Sequence, residues 1–207
     1  MTAIKAQFTP IQATEKLTFE EFLQTYMDVH AELVNGDVQI MTPATDKHQD
    51  LVGWLSSIMR LFAETHGLGV VRSAPLTMRI PGKDAHGREP DIMFISQERM
   101  NILKPTYLAE PADLVIEIIS PESVGRDRGE KFVEYEAAGV REYWLIDPDR
   151  EQAEFYQLAD DGRYRLQPTP DGRYESQILP GFWLNVMWLW QEPLPKILDV
   201  ARQLGLL

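Results

Sequence analysis

The run Leu114-Val115-Ile116-Glu117-Ile118-Ile119 constrains the fold of this chain more than any other stretch. Its apolar residues do not alternate with polar ones, as they would in a strand with one wet face. The run therefore reads as a strand covered on both sides, at the centre of a sheet. Yet an ionisable acid stands in its middle. A buried, unpaired carboxylate is costly, so the chain must bring Glu117 a cation, a salt bridge or hydrogen bonds.

A second acid, Asp91, follows Pro90 at the head of Ile92-Met93-Phe94-Ile95. Two acids converging from neighbouring strands make a hard oxygen site suited to Mg2+ or Mn2+. Such an ion polarises a phosphoryl oxygen and acidifies bound water. The plainer alternative is an ion pair between Glu117 and a core Arg72 or Lys131. The residues by themselves leave both readings open.

The remaining segments supply the layers that a covered sheet needs. Thr18 and Glu21 have the capping-box spacing at the start of a helix. Asn35-Gly36, between Ala31–Val34 and Val38–Met41, signals a hairpin. Leu51, Trp54, Leu55, Ile58, Met59 and Phe62 recur at three- and four-residue steps, which predicts a helix over 47–66. Apolar runs at 68–71, 76–80, 91–95 and 114–119 read as strands, with a polar segment at 97–111. A second helix is expected over 126–138, ended by Gly139. A strand follows at 142–147, then a hairpin across Asp160-Asp161-Gly162. The aromatic-rich stretch 182–190 either closes the core or forms a dimer contact. Mixed strands with helices on both sides predict an α/β layer fold. Its parts are an N-terminal extension (1–16), a main domain (17–192) and a C-terminal helix (193–207).

Composition narrows the chemistry. The chain has no cysteine, which removes disulfides, thiolate zinc sites and cysteine nucleophiles, and suits a cytoplasmic setting. Residues 1–14 lack the pattern of a signal peptide, and no apolar run approaches the ~20 residues of a membrane helix. The net charge of −12 argues against a protein that coats nucleic acid. The acidity lies at the ends, with a balance of −5 over residues 1–71, −1 over 72–131 and −6 over 132–207. The central block therefore allows a weak or transient contact with DNA. There is no phosphate-binding glycine loop and no nucleophile elbow. The four histidines, His30, His48, His66 and His86, lack zinc-ligand spacing.

Several motifs recur in one order: Glu32-Leu33-Val34-Asn35-Gly36-Asp37; His48; Glu89-Pro90-Asp91-Ile92; Val115 to Ser123; Asp127, Lys131 and Tyr135; and Gly139-Val140-Arg141-Glu142-Tyr143-Trp144-Leu145-Ile146-Asp147-Pro148. Together they resemble the Uma-two family of restriction-endonuclease-like proteins, within the PD-(D/E)XK superfamily, over residues 17 to 185. The resemblance implies a restriction-endonuclease-like mixed sheet flanked by helices, with added N- and C-terminal hairpins. It implies that Asp91 and Glu117 bind Mg2+ or Mn2+ and that the chain hydrolyses DNA phosphodiester bonds. The alternative is a catalytically inactive module that keeps the nuclease fold to bind or regulate.

The chain departs from the superfamily motif at Ile119, where a lysine two residues after Glu117 is expected. Lys131 is the candidate replacement, since Asp127, Lys131 and Tyr135, spaced four apart, share one helix face. It would orient the attacking water or neutralise the transition state; the alternative is an ordinary Asp127–Lys131 pair. Glu32 is the third acid candidate, as a direct or water-mediated metal ligand or as a residue of a solvent-facing hairpin. His48, Ser120, Arg126 and Arg128 are candidates for contacts with nucleic acid, each with an ordinary polar role as the alternative. Cutting both strands of a duplex usually takes two sites related by a two-fold axis, so a homodimer is expected.

Overall fold

The computed structural model describes residues 16–26, 28–82, 85–120 and 123–207. The expected N-terminal extension, and with it the signal-peptide reading, lies outside the described residues but for Lys16.

The elements in chain order are α1 (Phe19–Tyr26), β1 (Ala31–Val34), β2 (Asp37–Ile40), α2 (Asp46–His66), β3 (Gly69–Ser73), β4 (Thr77–Arg79), β5 (Gly87–Arg88) and β6 (Ile92–Ser96). They continue with β7 (Tyr107–Leu108), β8 (Leu114–Ile118), α3 (Phe132–Ala138), β9 (Glu142–Asp147), β10 (Gln152–Leu158), β11 (Tyr164–Leu166), β12 (Arg173–Glu175), β13 (Trp183–Asn185) and α4 (Ile197–Gln203). A π-helical turn, Arg126–Lys131, leads directly into α3.

Six strands form the main sheet in the order β11-β10-β9-β8-β6-β3. The Glu117 strand, β8, lies inside it, parallel to β9 and antiparallel to β6. Each face of β8 meets a different core. Leu114, Ile116 and Ile118 join α2, while Val115 and Ile119 join Tyr135, Val140 and Tyr143. By the two-residue period of a strand, Glu117 shares the second face. All six apolar residues that predict α2 are buried. Thr45 caps that helix by accepting from the His48 N–H, and Gly67 ends it in the left-handed conformation.

A second sheet, in the order β2-β1-β5-β4-β7, stands beside the first. The predicted hairpin is β1–β2, with Asn35 and Gly36 both at positive φ, as a two-residue turn of this kind requires. The capping box is also present, with the Glu21 carboxylate accepting from the Thr18 N–H and the Thr18 hydroxyl from the Glu21 N–H. Sequence reading missed β5 and β7, which have two residues each.

The aromatic stretch closes the core, as the first of its two readings had it. Phe182 packs edge-on against Phe62, and Trp188 against Trp54. Trp54 donates its indole N–H to the Pro195 carbonyl at 2.7 Å, and Val200 of α4 is buried in the same cluster. Among the described residues, no helix is long and apolar enough to cross a membrane.

Candidate active site

The antiparallel register of β6 and β8 pairs Ile92 with Ile116. Asp91 and Glu117 are the next residues beyond that last pair. Asp91 turns its Oδ2 to the Ile118 N–H at 2.7 Å, which fixes the carboxylate beside β8. Asp91 and Glu117 line one cleft of about 130 Å3, together with His30, His48, Ser120, Arg126, Asp127 and Lys131.

Lys131 comes from the π-helical turn above the sheet. Its ammonium lies 2.8 Å from Glu117 Oε1, 3.1 Å from Glu32 Oε1 and 3.5 Å from Asp127 Oδ1. The Tyr135 hydroxyl, one turn on, donates to Glu117 Oε1 at 2.8 Å. The four-residue spacing of Asp127, Lys131 and Tyr135 therefore places all three over Glu117, and all are buried.

Glu32 lies behind this group and does not line the cleft. It is fully buried, with Oε2 accepting from Arg88 at 2.8 Å and Oε1 facing Lys131 and the Glu89 N–H. Arg88, also fully buried, donates its Nε–H to Glu134 on α3 at 2.9 Å. Two cations thus hold Glu32 ionised. Burial alone would raise its pKa, but Lys131 and Arg88 outweigh that and bring it down to about 2. Glu117 lies at the other extreme. Burial pushes its pKa up to about 8; Lys131 pulls against this, while Asp127, Asp91 and Glu32 add to it. One amine among three carboxylates remains protonated, its own pKa raised by Glu117, Glu32 and Asp127 against burial. The excess negative charge falls on Glu117, which has no second cation.

His48 reaches in from α2, its Nε2 at 3.2 Å from Asp91 Oδ2. Burial would lower its pKa, but the contact with Asp91 outweighs burial and raises it. Three buried atoms on these side chains have no hydrogen-bond partner among the described residues: His48 Nδ1, Arg126 Nε and Asp127 Oδ1. Arg126 Nε lies 3.9 Å from Asp127, too far for a hydrogen bond. Ser120 lines the cleft at the end of β8. Arg128 does not. It turns to Glu154 of β10 and Asp147 of β9, since residues two apart on a helical turn cannot face the same way. Arg88 went unnoticed in the sequence because its partners are 46 and 56 residues away.

Among the described residues, no three His, Cys, Asp or Glu side chains form a group ready to hold a metal ion. Magnesium needs fewer, since it usually takes one or two carboxylates and keeps several waters. Asp91 and Glu117 fit that demand. Their hydrogen bonds fall on Oδ2 and Oε1, so the second oxygen of each carboxylate is not engaged by a described residue. Burial above all, with the neighbouring acids adding to it, raises the Glu117 pKa, and a divalent cation would favour its ionised form.

A half-buried acid at the head of one strand and a buried acid on its neighbour, with a lysine from the helical turn above, sit in an α/β chain with a nuclease-like fold. The same fold occurs in the crystal structure of a "putative nuclease belonging to DUF820" from Anabaena variabilis ATCC 29413. The match has a TM-score of 0.69 at 19% identity and covers 84% of this chain and 97% of that one. Residues 19–187 match the family described as "Uma2: Putative restriction endonuclease", and the chain belongs to that family. No curated protein matches it.

Proposed function

We propose that this protein is a metal-dependent endonuclease that hydrolyses DNA phosphodiester bonds, with Asp91 and Glu117 as ligands of Mg2+ or Mn2+. The reading rests above all on one cleft that Asp91, just ahead of β6, and Glu117 of β8 line together, with Asp91 Oδ2 held by the Ile118 N–H and the Lys131 ammonium beside Glu117. Membership of a family described as restriction endonucleases supports it.

Asp91 and Glu117 would hold the divalent cation, which when bound would polarise a phosphoryl oxygen and acidify water. The chain's own residues supply the rest. Lys131 keeps its proton and places positive charge where the phosphoryl oxygens gain negative charge. Glu32 and Arg88 fix that ammonium from behind. Asp127 Oδ1, in ionic contact with Lys131 at 3.5 Å but hydrogen-bonded to no described residue, accepts a hydrogen bond from the attacking water. Arg126 offers its guanidinium to a phosphate, and His48 steadies Asp91.

Nicking of supercoiled plasmid in Mg2+ or Mn2+ tests the proposal. Asp91→Ala and Glu117→Ala should each abolish nicking, and unchanged nicking in either would refute it. Calorimetry with Mn2+ gives a second readout. An inactive binding module, which the net charge of −12 favours, predicts no Mn2+ uptake near neutral pH.

A further inference from the structure

His30 lines the cleft but has no part in the chemistry above. It precedes β1, and its carbonyl accepts from the Met41 N–H at 2.9 Å, at the open end of the β1–β2 hairpin. Its imidazole is 46% exposed, with Nδ1 2.6 Å from Glu89 Oε2. A carboxylate only accepts, so Nδ1 carries a hydrogen there. Nε2 has no hydrogen-bond partner among the described residues. Glu89 is fixed in turn. Its side chain is 5% exposed, its second oxygen accepts from the buried Thr77 hydroxyl at 3.4 Å, and its backbone N–H is tied to Glu32 at 3.2 Å. A buried acid is costly. This one holds an accessible imidazole in one tautomer and one orientation, with the other nitrogen left unengaged.

Cleavage of a phosphodiester calls for a proton on the bridging oxygen that leaves. Few side chains of the cleft have one to give. Arg126 does not release its protons. Lys131 is 2% exposed and held among three carboxylates. His48 has Nε2 on Asp91, and its Nδ1 is buried. Serine and threonine hydroxyls are far weaker acids than an imidazolium. For His30, the hydrogen bond to Glu89 raises the pKa, burial lowers it, and the charges of Glu89, Asp91 and Glu32 raise it further, to a net rise. The ring therefore keeps a proton for Nε2 near neutral pH.

The geometry points to His30 as the proton donor to the leaving oxygen, with Glu89 as its positioning residue. The inference rests on the nuclease reading above and adds a role to it. The water oxygen bonds to phosphorus while the bond from phosphorus to the bridging oxygen breaks. That oxygen keeps the electron pair and takes the Nε2 proton. The proton of the attacking water passes to solvent, which then reprotonates the ring. A leaving group that needs no proton separates this role from a structural one. The linkage that wild type cuts in Mg2+ or Mn2+ would be mapped, and its leaving oxygen replaced by sulfur. His30→Gln should cut the natural linkage at least ~100-fold more slowly, the worth of a general acid, yet stay within about threefold of wild type on the sulfur linkage. Glu89→Gln should show the same pattern in milder form. Equal loss on both linkages, or unchanged cutting of the natural one by His30→Gln, would overturn the inference and leave the nuclease reading standing. No cutting of DNA by wild type would remove both.

Discussion

Substitution Glu117→Gln tests the charge balance of the site without any assay of activity. In the folded protein the Glu117 carboxyl has its pKa pushed to about 8, against 4.5 for the ordinary side chain. Between those values the folded state holds one proton that the unfolded chain has released. Stability of the metal-free protein must therefore fall as pH rises, by a little over ~1 kcal/mol per pH unit and roughly 5 kcal/mol in all. Glutamine keeps the shape of the protonated acid and never ionises. Near pH 5 the two proteins should be about equally stable. At pH 8 and above the variant should be more stable, by up to roughly 5 kcal/mol. Urea denaturation in EDTA from pH 5 to 9 measures this, and the difference between the proteins cancels the titration of groups that do not interact with Glu117. Saturating Mg2+ should stabilise wild type and not the variant, because only the carboxylate supplies a ligand. Parallel pH curves in EDTA, or wild type gaining on the variant as pH rises, would refute the reasoning.

Three further outcomes follow from the same geometry. Glu32→Gln should cost about 3 kcal/mol at pH 7 and flatten the acid limb of the stability curve: Glu32, held at about 2, contributes stability above the ordinary 4.5 that is lost as pH falls through 2. Chemical denaturation between pH 2 and 7 reads both effects. Arg88→Met leaves Glu32 and Glu134 without their buried guanidinium and should destabilise by about 3–5 kcal/mol, read as a shift in the urea midpoint. Gly69→Ala should cost about 3 kcal/mol, seen as a lowered Tm, because the residue sits at φ +147° and an added Cβ would lie 2.1 Å from the Ile95 carbonyl oxygen.

The legible parts of this protein are those set by local pattern. Helix α2 showed itself through six apolar residues on one face, the β1–β2 hairpin through Asn35-Gly36, and β8 through its unbroken apolar run. Glu117 stood out because one acid broke that run. The hidden parts are set by contacts remote in sequence. Nothing near Gly87-Arg88 announces a two-residue strand, because β5 exists only through its pairing with β1 and β4. Nor does anything near Arg88 announce its partners on β1 and α3. Arg126 and Arg128 looked alike in sequence, and only the direction of each side chain on the π-helical turn separates the one in the cleft from the one on Glu154 and Asp147.

The position of Ile119 gives the physical reason for moving the amine. Residues two apart on a strand face the same way, so a lysine at 119 would stand on the Glu117 side of the sheet. In this chain that place belongs to the core, where Ile119 is buried with Tyr135, Val140 and Tyr143. Filling it with apolar volume closes the strand end against α3, but leaves Glu117 without a neighbouring cation from its own strand. The helix above supplies one, since Lys131 approaches from the layer that Ile119 packs beneath. An amine on a helix needs its own anchors, and Glu32 and Asp127 provide them at 3.1 and 3.5 Å. Burial drives the Glu117 pKa upward, and the negative charge of those anchors adds to the rise. Setting the lysine on the helix and crowding the site with carboxylates are thus one structural choice, and a divalent cation between Asp91 and Glu117 is what would balance it.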